Sequence, residues 1–375
     1  MNILNHVVIL AVGFLLSALL TQIILPRILI ISLKKRLFDE PDARKIHKRP
    51  IPRLGGVSFF PSILFSLTFV LAIAKLLHWN VFGLMPEQAS EGLFLCSGMT
   101  LLYIVGIADD LVGVRYRQKF VVQFLSACMF PLAGLYINDF YGIFMIHQIP
   151  MLVGIPLTVL LVIFITNAIN LIDGIDGLAS GLSMVALAVY TGLFMHLGLW
   201  MYSLLAIASF GVLCPFFYYN VFGNADKGRK IFMGDTGSLT LGFILSFLTV
   251  KFTMNPELAG TTEAVYPGAI IIAFSLLLVP CLDVIRVVLH RIRFHQSPFL
   301  PDKNHIHHKF LALGFTPRKA MITILSISFV FGIGNVLLVH HVDNTLLFIG
   351  DVVIWTVMHI VITKKIKNEV KYKTI

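Results

Sequence analysis

The stretch VVILAVGFLLSALLTQIILPRILIISL, residues 7–33, contains a single charged side chain, Arg27. A bilayer core about 30 Å thick is crossed by roughly 20 apolar residues of α-helix, so this stretch is long enough to span a membrane. It is longer than the apolar region of a cleaved secretory signal, and no basic segment precedes it. The sequence therefore predicts a first membrane span here.

Ten more apolar stretches follow, and together they predict an all-α polytopic membrane protein. Apolar residues make up 57% of the 375 residues and charged residues only 13%, whereas soluble domains carry about 25% charged residues. No linker or fixed-period repeat divides the chain, so we expect one integral-membrane domain over residues 1–375. The eleven predicted spans cover residues 7–33, 56–77, 92–108, 119–138, 151–170, 178–196, 199–220, 231–250, 266–289, 321–340 and 345–363.

The Lys and Arg residues are strongly biased to one side of these spans. Five segments contain 26 of the 29, namely residues 34–53, 109–119, 221–230, 286–319 and 364–375. Cytoplasmic loops carry such an excess of positive charge, and eleven spans place all five segments on one side. The pattern predicts an outside N-terminus and a cytoplasmic C-terminus. The bias also explains the net charge of +10, and no basic stripe with interleaved aromatics indicates nucleic-acid binding.

Two adjacent acids, Asp109 and Asp110, end the third predicted span. Carboxylates at membrane depth are costly and usually serve a function. Adjacent like charges raise the pKa of one member unless something compensates them. A metal ion, the nearby Lys119 or a shared proton would do so here. The alternative is an ordinary helix end with solvated acids.

A row of polar residues three apart joins the fifth and sixth spans: Asn167, Asn170, Asp173 and Asp176. Residues at this spacing share one helix face. Their oxygen atoms would line a stripe suited to a hard cation or a polar ligand. Helix capping is the alternative for the two Asp residues, but it does not account for the Asn residues upstream.

Asp235 stands at the start of the eighth span within Gly-Asp-Thr-Gly-Ser, residues 234–238. A helix N-terminus attracts phosphate, and a carboxylate at that place can hold magnesium against the phosphate. A simple capping Asp with permissive glycines is the alternative.

Three histidines, His305, His307 and His308, lie in the basic loop before the tenth span. We interpret them as hydrogen-bond donors to phosphate or sugar oxygens. Zinc is an alternative, although no Cys or carboxylate stands near them at a typical spacing. A plain basic loop facing the membrane is another. Asp283 is expected to support this loop through Arg286, one turn later in the sequence.

These clusters together favour metal-assisted phosphoryl transfer to or from a lipid. No Ser–His–Asp or Cys–His arrangement and no P-loop motif is present. The four Cys residues form no C-x-x-C pair. A secondary transporter is the alternative class, but transporter sites lie near the membrane midplane. Asp351, inside the eleventh predicted span, has no explanation in the sequence.

The same motifs resemble those of the polyprenyl-phosphate N-acetylhexosamine-1-phosphate transferases, glycosyltransferase family 4. The matching elements are the Asp109-Asp110 pair, the N-x-x-N-x-x-D-G-x-D-G-L run of residues 167–178, the Gly-Asp-Thr-Gly-Ser segment and His-Ile-His-His at 305–308. They occur in the family's order over most of the chain. The resemblance implies transfer of a sugar 1-phosphate from a UDP-sugar to undecaprenyl phosphate with release of UMP. It also implies Mg²⁺, with Mn²⁺ as a substitute, and a family that includes homodimers.

The resemblance further implies a role for each matched residue. Asp235 corresponds to the magnesium ligand, with Asn170 as a second one. Asp109 and Asp110 correspond to catalytic acids supported by Lys119. The histidines 305, 307 and 308 match the pyrophosphate- and sugar-side cluster. The residues placed where the family holds the donor are Asn167, Asp173, Asp176, Asn220 and Phe232.

One departure from the family's pattern bears on the donor. Ile306 interrupts the histidines, which run consecutively in the peptidoglycan branch. This favours a simple UDP-N-acetylhexosamine, foremost UDP-GlcNAc, and leaves UDP-MurNAc-pentapeptide as the alternative. We expect direct displacement, with a covalent aspartyl intermediate as the rival path.

Overall fold

The computed structural model describes residues 3–35, 37–39, 51–79, 86–260, 263–297 and 304–373. Within these ranges the protein is all-α apart from one short antiparallel ladder, β1 (Phe38–Asp39) with β2 (Ile51–Pro52). Part of the basic segment 34–53 and of the loop before the tenth predicted span lies outside the described residues.

Fourteen α-helices occur in the described part of the chain. They are α1 (Ile3–Lys35), α2 (Phe59–Leu76), α3 (Pro86–Val112), α4 (Tyr116–Ala127), α5 (Met129–Leu132), α6 (Met151–Ile172), α7 (Leu178–His196), α8 (Trp200–Phe217), α9 (Gly234–Thr253), α10 (Ala269–Leu276), α11 (Leu278–Arg293), α12 (Ile306–Ala312), α13 (Pro317–Leu338) and α14 (Asn344–Lys373). A π-helical turn, Tyr218–Phe222, continues α8. Short 3₁₀ turns cover Gly55–Ser58, Ile143–Met145, Ala225–Lys227 and Glu257–Ala259.

Nine of the eleven predicted spans are single helices long and apolar enough to cross a bilayer, counted over the described residues. This confirms an all-α membrane protein with multiple apolar helices. The ninth predicted span is a bent pair, α10 and α11, with an angle of 71° between them. The fourth is divided into α4 and α5. The number of crossings and their direction stay predictions.

Proline explains both interruptions. The nitrogen of Pro280 has no hydrogen to donate to the carbonyl of Leu276, where α10 ends, and the chain bends there. Pro131 likewise cannot donate to Ala127, the last residue of α4. These two prolines lie inside stretches that hydropathy alone reads as continuous.

Helix α9 forms the centre of the protein and is buried on nearly all sides. It packs against α3 and α6 most extensively, and also against α7 and α10. Glycines allow the two main approaches. A Cβ added to Gly106 on α3 would lie 2.5 Å from the Cα of Thr236, and one added to Gly242 on α9 would lie 2.7 Å from the Cα of Thr166. Small residues at such crossings let helix backbones approach closely within a membrane.

The remaining helices surround this centre. Helix α1 packs on α2 and α8, and α13 packs on α7 and α10. The short helix α12 is held between α13 and α14. In the buried contact between α13 and α14, Asn335 donates its amide to both oxygens of Asp351 at 2.9 and 3.2 Å.

The segment after β2 runs beside the N-terminus of α9. The backbone N–H of Phe232 donates to the carbonyl of Pro52 at 2.8 Å, and the carbonyl of Phe232 accepts the N–H of Gly55 at 2.9 Å. A Cβ on Gly56 would lie 2.1 Å from the Cα of Gly237. This contact fixes the loop that leads into α9, and with it the position of Asp235.

Candidate active site

Three helix ends bring the predicted acidic and amide residues together. Helix α3 ends just after Asp109 and Asp110, α6 ends just after Asn170, and α9 begins at Gly234. Because α9 packs closely against both α3 and α6, the last turns of those helices meet its first turn. We call this region the site end of the molecule.

A lysine links two of the carboxylates. The Nζ of Lys119 lies 3.0 Å from Oδ2 of Asp109 and 3.0 Å from Oδ2 of Asp235. The three side chains are largely buried, and the second oxygen of Asp109 accepts the N–H of Val114 at 2.6 Å. The sequence left open what compensates the Asp109-Asp110 pair. In this structure a cation, Lys119, stands between Asp109 and Asp235.

Asp110 has different partners from Asp109. Its Oδ1 accepts the N–H of Asp235 at 2.7 Å, and its Oδ2 accepts the N–H and the hydroxyl of Thr236 at 3.0 and 2.6 Å. Asp110 thus binds the free N–H groups at the N-terminus of α9, as a capping residue does. Gly234 has φ of +71°, and a Cβ there would lie 2.6 Å from both Asp110 oxygens.

The two asparagines of α6 point to the same site end but contact different residues. Asn170 donates to Oδ1 of Asp235 at 2.5 Å and to the hydroxyl of Ser238 at 2.8 Å. Asn167 exchanges hydrogen bonds with Gln123 of α4, at 2.8 and 3.3 Å. Asn170 is therefore a neighbour of Asp235, whereas Asn167 connects α6 to α4.

The helix row predicted from residues 167–176 is interrupted, because α6 ends at Ile172. Asp173 lies just after that end and is exposed. Asp176 forms an ion pair of 2.5 Å with Lys230. The sequence predicts that both acids continue the helix face of Asn167 and Asn170, but α6 ends before them.

Two further residues predicted to hold the donor have backbone partners. Asn220, in the π-helical turn, is buried, accepts the N–H of Gly177 at 2.6 Å and donates to the carbonyl of Ile231 at 2.8 Å. It ties the loop after α6 to the segment before α9. Phe232 is partly buried in that segment, beside β2.

The histidines form a compact group around α12. The rings of His305 and His307 are parallel, with centroids 5.9 Å apart, and those of His307 and His308 are 4.2 Å apart. His307 is 2% exposed, and among the residues that the structure describes neither of its ring nitrogens has a hydrogen-bond partner. Burial and the two neighbouring histidines lower the pKa of His307 to about 3, so its ring is neutral at physiological pH.

The histidine group touches the loop that follows α6. A Cβ added to Gly174 would lie 2.3 Å from Nε2 of His307. The histidine group therefore adjoins the loop that contains Asp173 and Asp176, but the thirteen predicted site residues do not form a single coordination shell. The expected pair of Asp283 and Arg286 is also present, at 2.8 Å.

Sequence reasoning missed several residues of this region. Gln123 and Lys230 are polar partners of Asn167 and Asp176. Thr236 completes the cap made by Asp110. Gln123 lies one helical turn after Lys119 on α4, and this i, i+4 spacing was the available signal.

The donor set fits a hard divalent cation more closely than zinc. Asp235 and Asp109 already surround a positively charged group, and Asn170 adds an amide beside Asp235. Carboxylate and amide oxygens are the ligands that magnesium prefers. Over the described residues, no three His, Cys, Asp or Glu side chains are grouped as metal ligands.

The fold and the site define a multi-pass membrane protein with carboxylates, amides and histidines gathered at one end of its helices. Comparison with known proteins identifies the family. Residues 93–253 match the model of glycosyl transferase family 4. The chain is 33% identical over 328 residues to a probable undecaprenyl-phosphate N-acetylglucosaminyl 1-phosphate transferase of Bacillus subtilis, covering 87% of this chain and 84% of that protein.

Two undecaprenyl-phosphate alpha-N-acetylglucosaminyl 1-phosphate transferases show similar relationships. That of Yersinia pestis is 30% identical over 303 residues, covering 78% of this chain and 74% of the relative. That of Escherichia coli K12 is 29% identical over 296 residues, with the same shares covered. The chain belongs to glycosyl transferase family 4 and is a sugar-phosphate transferase. The family resemblance and the enzyme class predicted from the sequence are confirmed.

Proposed function

We propose that the protein transfers N-acetylglucosamine 1-phosphate from UDP-GlcNAc to undecaprenyl phosphate, giving undecaprenyl-diphospho-GlcNAc and UMP. The relatives' names support the lipid acceptor and the sugar phosphate. The observation that carries the proposal is the cationic bridge of Lys119 between Asp109 and Asp235. Two acids and a cation, held beside the first turn of a helix, suit a reaction in which negative charge moves between phosphates.

We further propose that magnesium is required and that Asp235 and Asn170 hold it. Asp235 lies at the N-terminus of α9 with its carboxylate turned toward both Lys119 and Asn170. When bound, magnesium would neutralise charge on the diphosphate and polarise its phosphorus. The dipole of α9 acts in the same direction, because its positive end faces the same region.

Asp109 is the residue we assign to the lipid phosphate. Its Oδ2 faces the ammonium of Lys119 and the carboxylate of Asp235, whereas both oxygens of Asp110 are used by the cap of α9. Asp109 can therefore take the proton of the lipid phosphate or orient that phosphate. Asp110 acts by holding Asp235 in place. This assignment gives Asp109 and Asp110 different roles, whereas the family resemblance implies that both are catalytic acids.

The proposed step is a direct displacement. An oxygen of the lipid phosphate forms a bond to the sugar-bearing phosphorus. The bond between that phosphorus and the bridging oxygen of UMP breaks, and UMP leaves with the electron pair. Lys119 lies where it can stabilise the negative charge on the transferred group. Release of UMP in a burst without lipid acceptor would instead support an aspartyl intermediate.

The histidine group is assigned to the pyrophosphate and sugar of the donor. Asp173 and Asp176, with Asn220 and Phe232, line the way toward the nucleoside side in this proposal. UDP-MurNAc-pentapeptide remains the alternative donor. The interruption of the histidines by Ile306 favours the simpler sugar.

The finer topology belongs to the same proposal. Eleven crossings, with α4 and α5 together as the fourth and the bent α10–α11 pair as the ninth, place the site end at the cytoplasmic face of the bacterial inner membrane. A cytoplasmic face is where a soluble nucleotide sugar is available. Labelling of single cysteines introduced at Asp343 and at Lys364 with a membrane-impermeant maleimide in intact cells tests this. Only the cysteine at position 343 is expected to react.

The reaction is tested with purified protein, radiolabelled UDP-GlcNAc, undecaprenyl phosphate and magnesium, by following label into a butanol-extractable lipid. The parent is expected to form labelled lipid and Asp235→Asn to lose nearly all of it. Asp343→Asn is the matched control, since Asp343 is an exposed acid next to α14, far along the chain from the site residues. If labelled lipid forms with UDP-MurNAc-pentapeptide but not with UDP-GlcNAc, then UDP-MurNAc-pentapeptide is the donor. Absence with every donor would refute the proposal.

A further inference from the structure

We propose that Asp283 is the positioning residue for His305, and that through this one carboxylate the bent helix pair sets the orientation of the histidine group. The inference rests on the proposed function, because it gives His305 a part in binding the donor. The sequence relates Asp283 only to Arg286. In the structure its contacts extend to His305 and Ile306 as well.

The side chain of Asp283 is 0% exposed and uses both of its oxygens. Oδ2 lies 2.8 Å from Nδ1 of His305. Oδ1 accepts a hydrogen bond from Nη2 of Arg286 at 2.8 Å and from the backbone N–H of Ile306 at 3.0 Å. A buried acid with three partners from two separate segments is a specific arrangement, since burial without partners costs several kcal/mol for a charge.

These partners determine where the proton lies. A guanidinium and a backbone N–H both donate to Oδ1 of Asp283, and the positive charge of the guanidinium favours the ionised carboxylate, which accepts hydrogen bonds and donates none. Asp283 therefore accepts at Oδ2 as well, so Nδ1 of His305 must carry the hydrogen. The second nitrogen, Nε2, is then the one that meets a ligand. This arrangement of carboxylate, Nδ1–H and free Nε2 fixes the orientation and tautomer of a functional histidine.

The same carboxylate also fixes the helix that carries the other histidines. Helix α12 begins at Ile306, whose N–H is bound by Asp283. Arg286 additionally donates to the carbonyl of Asn304. At the far side of α12, Lys309 donates to the hydroxyl of Thr363 on α14 at 2.9 Å. The histidine helix is thus attached to α11 at its start and to α14 one turn later.

The bend between α10 and α11 determines where Asp283 lies relative to the histidine segment. Asp283 lies in the second turn of α11, three residues after Pro280. A straight helix through Leu277 would direct this turn elsewhere. The 71° bend brings the carboxylate under the segment 304–306.

The experiment is a double-mutant cycle. Asp283→Asn keeps size but presents an amide that can donate to Nδ1, which reverses the tautomer of His305. In the parent background we expect kcat for labelled-lipid formation to fall about 10- to 100-fold, as is typical when the partner of a functional histidine is replaced. In the His305→Ala background the same change is expected to cost less than about twofold, because the residue through which Asp283 acts is gone.

Asp351→Asn is the control, because Asp351 is another buried acid of the membrane spans whose partner, Asn335, lies on α13. Its effect is expected to be the same in both backgrounds. Equal losses from Asp283→Asn in the two backgrounds would show that Asp283 only stabilises the fold and would overturn the inference.

A second readout does not depend on the reaction. In protein labelled with ¹⁵N-histidine, the signals that disappear in His305→Ala are expected to show a protonated Nδ1, and Asp283→Asn is expected to move them toward a protonated Nε2. A protonated Nε2 with a bare Nδ1 in the parent would overturn the inference even if the transferase activity is found. An inactive parent with the expected signals would refute the proposed function and leave the orientation of His305 supported.

Discussion

Oδ1 of Asp110 accepts the backbone N–H of Asp235 at 2.7 Å, so that one acid of the site holds the helix that carries another. The bond is one of three from Asp110 to the first turn of α9, the others coming from Thr236. Asp109, the adjacent residue, makes none of them and faces Lys119 instead. Two neighbouring carboxylates of one helix thus have separate partners, and the proposed function gives them separate roles, support for Asp110 and chemistry for Asp109.

Replacing Asp110 is expected to destabilise the protein as well as inactivate it. Asp110→Asn exchanges an acceptor oxygen for an NH₂ group that faces the N–H groups of α9, and loss of a capping acceptor costs about 0.5–2 kcal/mol. Asp109→Asn should reduce activity with a smaller effect on stability, because Lys119 keeps its contact with Asp235. Thermal unfolding in detergent, followed by intrinsic fluorescence, compares the two. A lower melting temperature for Asp109→Asn than for Asp110→Asn would contradict the assignment.

Adjacent residues show where sequence reasoning reached its limit. The sequence predicts that the Asp109-Asp110 pair is functional and offers Lys119 as one of three ways to compensate it. Which acid meets which partner depends on how α9 is set against α3, and that in turn depends on close contacts such as Gly106 with Thr236. Hydropathy contains no information about such contacts.

The fold shows a similar division between what was predictable and what was not. Length and hydropathy located nine helices that are single, long and apolar in the described part of the chain, because a helix able to cross a membrane must have both properties. The fourth and ninth spans were predicted as continuous, although Pro131 and Pro280 lie within them. Proline in a membrane helix is tolerated in some places and breaks the helix in others, depending on whether neighbouring groups bind the freed carbonyl. That outcome is decided by packing.

Removing the cation between Asp109 and Asp235 is expected to strengthen binding of a divalent ion. Lys119→Gln leaves two carboxylates near each other without a positive charge, and electrostatic attraction to a cation then increases. We expect Mn²⁺ to bind this variant several-fold more tightly than the parent, as measured by electron paramagnetic resonance. Turnover should nevertheless fall, because the lysine also stabilises the transferred phosphate in the proposed reaction.

Two comparisons make the metal experiment specific. Lys230→Gln removes the partner of a different acid, Asp176, and should leave Mn²⁺ affinity close to that of the parent. Asp235→Asn in the Lys119→Gln background should abolish the gain. Unchanged Mn²⁺ affinity in Lys119→Gln would mean that the metal binds away from Asp235.

Gly174 provides a test of the contact between the loop after α6 and the histidine group. A Cβ at this position would lie 2.3 Å from Nε2 of His307, so Gly174→Ala must displace the buried ring. A displacement of about 1 Å in a catalytic group can reduce turnover by roughly 10²-fold. We expect a loss approaching that size in kcat. Gly192→Ala on α7 is the matched control, because no atom lies within 4 Å of its added Cβ. Equal kcat values for the two variants would show that displacing the His307 ring does not affect the reaction.

Asn335 is the partner of Asp351, the acid for which the sequence gives no explanation. The contribution of this pair to thermal stability can be measured separately from transferase activity. Asn335 donates to both oxygens of Asp351 between α13 and α14, and each residue is buried. Hydrogen bonds between membrane helices contribute about 0.6 kcal/mol on average and up to about 1.7 kcal/mol. Asp351→Leu alone should cost more than this, because it leaves the buried amide of Asn335 with the carbonyl of Phe331 in place of two carboxylate oxygens. Replacing both residues by Leu should recover part of the loss in thermal stability, while the turnover of the folded enzyme stays near that of the parent. A double variant less stable than Asp351→Leu would show that Asn335 contributes through other contacts, such as its bond to the carbonyl of Phe331.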